Sequence, residues 1–129
     1  SEMCIRDSSE KLMTHGEQTA QTQFSVDLNG EGSSANVVSR SVARDDSAQL
    51  FRAKIAGNNA CAGHSECDAI IMDNAKVRAI PELEANDLDA SLIHEAAIGK
   101  IAGEQLIKLM TLGLTEHEAE EQIINGFMK

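Results

Sequence analysis

Period-two alternation, broken repeatedly by Gly, Asn and Asp, constrains this chain more than any other feature. In "QTQFSVDL" Phe24, Val26 and Leu28 share one face while Gln23, Ser25 and Asp27 share the other, the pattern of a half-buried strand. "NGEGSS" interrupts it at 29 to 34, and "ANVVSRSVA" resumes an extended, β-branched stretch. "QLFRAKIAG" repeats the device, with Phe51, Ala53 and Ile55 opposite Arg52 and Lys54. After the turn-like "GNNACAGHSE" come "CDAIIM", "AKVRAI" ending at Pro81, "LEAND" and "LDASLI". No helix-period segment precedes residue 99, so a sandwich, a barrel or a solenoid is expected. The intervals are too uneven for spacing alone to define a fixed repeat.

The core must be built without large aromatic plugs, because the 129 residues include three Phe and neither Trp nor Tyr. Small aliphatics suit thin, repetitive layers. The period changes after residue 99. Residues 104–112 have helix-forming composition, with Leu106, Leu109 and Met110 on one side and Gly113 where a helix commonly stops. Thr115 followed by Glu118 is a capping-box signature for a second helix. Its apolar stripe is Ala119, Ile123 and Phe127, with Ile124 and Met128 beside it. The organisation expected is therefore a tail or fragment edge over 1–19, a β core over 20–98 and a helical segment over 99–129. Cys4 falls in that tail and takes no role.

Charge excludes some partners. Eleven basic against 21 acidic residues leave a formal charge of −10, which repels phosphate backbones and anionic lipid surfaces. Neither nucleic acid nor a membrane is expected as a partner. Arg40, Arg44, Arg52, Lys54, Lys76 and Arg78 read as a solvated outward face, because no aromatics interleave them. Three cysteines at irregular spacing suggest no disulfide framework and fit a reducing, cytoplasmic setting.

The chemistry-bearing stretch is "GHSECDAIIMDN", residues 63–74. Cys61, His64 and Cys67 recur at three-residue intervals, as zinc ligands can, yet no second close-spaced couple completes a tetrahedral site. Cys67 with His94 could form a nucleophile and base, although nothing in the sequence signals a lowered thiol pKa. A buried, packed sulfur is the third reading. Strand parity puts His94 on the apolar face and Glu95 on the polar one, so the two converge only where the strand bends or ends.

"GHSECDAIIMDNAKVRAIPELEAND" and "IHEAAIGKIAGEQLIKLMTLGLTEHEAEEQIINGF", taken in this order, strongly resemble the C-terminal core of the SufB/SufD family, scaffolds of the SUF iron-sulfur cluster assembly system. The resemblance is specific from Gly63 to Phe127. It implies a mainly β fold, a right-handed parallel β-helix followed by a short α-helical segment. It also implies a non-enzymatic scaffold that carries a transient iron-sulfur cluster. Matched residue by residue, Cys67 corresponds to the family's cluster-site cysteine, Glu95 to its acidic companion and His94 to the adjacent histidine. Having both Cys67 and Glu95 makes the chain SufB-like. Cys61 and His64 have no such counterpart and are the weaker candidate ligands. The partners implied are a SufC-type ABC ATPase at the C-terminal helices and a second SufB/SufD-type subunit along the β-helix.

Overall fold

Each alternating stretch becomes a strand, and strands of nearly equal length stack into coils. The computed structural model describes residues 4–129. The elements are β1 (Ile5–Thr14), β2 (Thr19–Leu28), β3 (Ser33–Ala43), β4 (Ala48–Gly57), β5 (Cys61–Ile71), β6 (Lys76–Ala85), β7 (Ala90–Gly99), α1 (Gly103–Thr111) and α2 (Glu116–Phe127). Odd-numbered strands make one sheet, ordered β1-β3-β5-β7, and even-numbered strands a second, ordered β2-β4-β6. Every pairing is parallel. A parallel neighbour needs a crossover, and here the crossover is a strand of the opposite sheet instead of a helix. The result is a parallel β-solenoid followed by two helices.

The solenoid has a regular step. Ile5 stacks on Ser34, Ser33 on Cys61 and Cys61 on Ala90, steps of 29, 28 and 29 residues. Its corners repeat more faithfully than its strands. Asn86 donates to Asn58 and Asn58 to Asn29, each at 2.7 Å, forming an amide ladder up one corner. At another corner Gly16, Asp45 and Asp73 all take positive φ of 57 to 58°, and the Gly16 and Asp45 amides donate to the carboxylates of Asp45 and Asp73. Asp is among the few residues that tolerate this conformation.

Inward side chains fill the space between the sheets. Val37, Phe51, Ala53 and Cys67 form one buried cluster, and Leu28, Ala35, Ile55 and Cys61 another. Phe24 packs on the first, its ring centroid 6.1 Å from that of Phe51. Polar inward groups are paired: Thr14 and Ser47 hydroxyls lie 2.8 Å apart, and Gln49 donates to Thr14 and to the Val42 carbonyl.

Four sequence expectations change. Residues 5–14, expected within a tail, are β1, the first strand of the larger sheet, while residues 1–3 of that tail lie outside the described residues. The stretch around Cys61 is not a turn, because β5 runs unbroken from Cys61. β6 passes through Pro81 to Ala85, which its edge position permits, since a missing N–H there breaks no ladder. Leu88 is fully exposed in the turn before β7 and does not belong to that strand.

The two helices begin and end where their punctuation places them. Thr115 Oγ1 accepts from the Glu118 amide at 3.1 Å, and Glu118 Oε1 accepts from the Thr115 amide at 3.0 Å. Gly113, with φ of 101°, closes the turn after α1. α2 buries Ala119 and Ile124 completely. Arg44 pairs with Glu121 at 2.8 Å, and the Arg40 guanidinium lies 5.9 Å from the Phe127 ring centroid. These two arginines therefore anchor α2 to the solenoid and are not part of a merely solvated face. Thr115→Ala is expected to lower stability by about 1 kcal/mol, through loss of one partner of the reciprocal cap, as read by urea denaturation. No described helix is long and apolar enough to cross a membrane.

Candidate functional site

The chemistry-bearing residues sit on β5 and β7, neighbours at one end of the larger sheet. Burial alternates along β5, so Cys61, Gly63, Ser65 and Cys67 point inward while His64, Glu66 and Asp68 point outward. Register carries this parity to β7. Ser65 pairs with His94, Glu66 with Glu95 and Cys67 with Ala96. His94 thus shares the inner face with Cys67, and Glu95 shares the outer face with His64 and Glu66. β7 runs straight to Gly99, so no bend at 94–95 brings its two side chains together.

Cys67 is 1% exposed, packed among Val37, Phe51 and Ala53. Burial pushes its thiol up to about 11, helped by the negative charges of Asp68 and Glu10. The neutral thiol is therefore the form held near neutral pH. Glu10 was not singled out from the sequence. It heads the inner column Glu10, Ser39, Cys67, Ala96, and accepts from the Ser39 and Thr22 hydroxyls at 2.8 and 3.1 Å. His94 lies one inward position along β7 from that column, about 8 Å from Cys67 for a strand spacing of about 4.8 Å and a rise of about 3.3 Å per residue. Its Nδ1 is 3.3 Å from Ser65 Oγ, and burial, then the neighbouring His64, lowers its pKa against the opposing pull of Glu95.

Cys61 is a packing residue. It is buried beside Ile55 and Leu28, and six strand positions put it about 20 Å from Cys67. Cys61, His64 and Cys67 are thus not gathered around one point.

On the outer face His64, Glu66 and Glu95 each offer one ligand atom, all within 4.8 Å of one another. His64 Nε2 lies 3.6 Å from Glu95 Oε2, and its Nδ1 is 2.6 Å from Asn36 Oδ1 on β3. The Glu66 carboxyl is raised from its ordinary value, foremost by a hydrogen bond shared with Asp68, then by partial burial, by the charge of Asp68 and by the hydrogen bond and charge of Glu95. Asn36 escaped sequence reasoning because only the solenoid register puts it beside His64.

The chain matches the family model described as SUF system FeS cluster assembly, SufBD core domain, over residues 6–127. An iron-sulfur cluster assembly SufBD family protein of Methanothermobacter thermautotrophicus is 43% identical over 105 residues, covering 80% of this chain and 26% of the relative. Relatives bearing the same family description in Methanocaldococcus jannaschii and Staphylococcus saprophyticus are 41% and 37% identical, over 80% and 74% of this chain and 33% and 22% of theirs. The chain therefore spans a third or less of the length of these curated relatives. The stacked coils, the two C-terminal helices and a match running almost from end to end agree: the chain belongs to the SufBD core domain family of the SUF iron-sulfur cluster assembly system.

Proposed function

We propose that this chain is the cargo-holding core of a cytoplasmic, non-enzymatic SUF scaffold, with Cys67 as ligand to nascent cluster, Glu95 as co-ligand and His94 as ligand or support. Thiolate, imidazole and carboxylate are suitable donors: sulfur binds iron and sulfide strongly, and oxygen holds iron loosely enough for release. The observation that carries the reading is the division of these donors by the β5–β7 surface, with Cys67 and His94 inside and Glu95 outside. A scaffold that must be opened before it loads would keep its thiol closed and protonated at rest. β7 is suited to be the element that moves, because it is an edge strand with β5 as its single sheet neighbour. A SufC-type ATPase docked at α1 and α2 would supply the work, and a second SufB/SufD-type subunit along the solenoid would complete the assembly.

The test is anaerobic reconstitution with ferrous iron and sulfide, with and without the SUF partners, for wild type, Cys67→Ser and Glu95→Ala. Charge-transfer absorption and bound iron are expected in wild type and lost in Cys67→Ser, with Glu95→Ala reduced. Equal clusters in Cys67→Ser of retained fold would end the assignment. Co-purification with the ATPase that persists while neither form binds iron would favour instead a docking module that carries no cluster.

A further inference from the structure

The outer face of the β5–β7 pair gathers one imidazole and two carboxyls from adjacent strands. The Asn36 Oδ1, 2.6 Å from His64 Nδ1, accepts a hydrogen bond there and so fixes the proton on that nitrogen. The other ring nitrogen, Nε2, faces the carboxylates, with Glu95 Oε2 at 3.6 Å. The ligand atoms of the two carboxyls and the imidazole all lie within 4.8 Å of one another, close enough to converge on one cation.

We propose that His64, Glu66 and Glu95 form a labile outer-face site for a divalent transition-metal ion of the ferrous or manganous class, with Asn36 as its positioning residue. An ion with bonds of about 2.1 Å sets tetrahedral ligands about 3.4 Å apart, near the separation His64 and Glu95 already have. Glu66, partly exposed, closes the remaining gap by a rotamer change. One nitrogen and two oxygen donors, with no thiolate, favour ferrous, manganous or zinc ions over cuprous copper. Three protein ligands leave open positions, and the exposed rim lets the ion exchange. Three adjacent strands contribute through their register: Asn36 from β3, His64 and Glu66 from β5 and Glu95 from β7.

This inference goes beyond the Cys67 reading, shares only Glu95 with it and stands if that reading fails. The experiment is anaerobic titration of the 129-residue chain with Co²⁺, followed by visible absorption and calorimetry. The variants are His64→Ala, Glu66→Gln, Asn36→Ala and Cys67→Ser, with circular dichroism to verify folding. Glu95 is left intact because both sites use it. The expected result is one Co²⁺ per chain, with d–d bands and no sulfur charge transfer, bound equally by Cys67→Ser. Affinity should fall roughly ten- to hundredfold in His64→Ala and Glu66→Gln and about tenfold in Asn36→Ala. Unchanged affinity in folded His64→Ala and Glu66→Gln would overturn the site, as would sulfur charge transfer that disappears in Cys67→Ser.

Discussion

Near neutral pH, Cys67 of the folded chain is expected to react with iodoacetamide at least about a hundredfold more slowly than the same cysteine in the urea-unfolded chain. Raising the thiol from its ordinary 9.0 to about 11 leaves about a hundredfold fewer thiolates, before access is considered. Complete burial slows the reaction further, since the reagent must wait for the β-solenoid to open. Exposed Cys4 serves as the reference for reagent activity in the same sample. Peptide mass spectrometry over time separates the sites. Equal folded and unfolded rates at Cys67 would mean an activated thiol and would return the cysteine-dependent enzyme as the better reading.

The same proton has a thermodynamic consequence. Below about 9 both folded and unfolded chains hold it, and nothing is lost; between about 9 and 11 the unfolded chain releases it first, so stability falls as pH rises. The loss attributable to this group is at most about 3 kcal/mol, seen as the difference between wild type and Cys67→Ala over that range.

The second large effect concerns Ile55 and Gly63. Ile55 is fully enclosed, and its removal as Ile55→Ala is expected to destabilise the solenoid by about 2–5 kcal/mol. Opposite it, a Cβ on Gly63 would meet Ile55 Cγ2 and Leu92 Cδ2 at 2.9 Å each. Gly63→Ala alone is then expected to cost about 1–3 kcal/mol by overpacking. Because Ile55→Ala deletes the methyl that a Gly63 Cβ would strike, the double variant should be more stable than the sum of the single costs implies. Strict additivity in a urea double-mutant cycle would show that the two positions do not share this space.

The parts of the fold that were legible are those where side-chain chemistry follows the pleat. Phe24, Val26 and Leu28, and then Phe51, Ala53 and Ile55, alternate because one face is packed and the other wet, and the capping box of Thr115 and Glu118 is local. β1 was illegible for the converse reason. Its inner column positions are Arg6, Ser8, Glu10, Leu12 and Thr14, mostly polar, so no apolar period marks it. The coil repeat was hidden because stacked positions differ in type, as in Glu10, Ser39, Cys67 and Ala96. What recurs is corner chemistry, Asn29, Asn58 and Asn86, and single asparagines are common enough to pass unnoticed. For the site, parity correctly separated His94 from Glu95. Which residues lie beside each depends on register between strands some 28 residues apart, which no local pattern reports.

The near-constant step of 28 or 29 residues makes the length of this protein effectively quantised. A single residue inserted in β5 ahead of His64 would exchange the sides of His64 and Cys67, turning the sulfur out to water and the imidazole into the core. A whole coil inserted at a corner would leave every face unchanged and merely move the ends apart. Evolution of such a chain can therefore lengthen or shorten the spacer between its two ends in units of one winding without disturbing the inner and outer chemistries of β5 and β7.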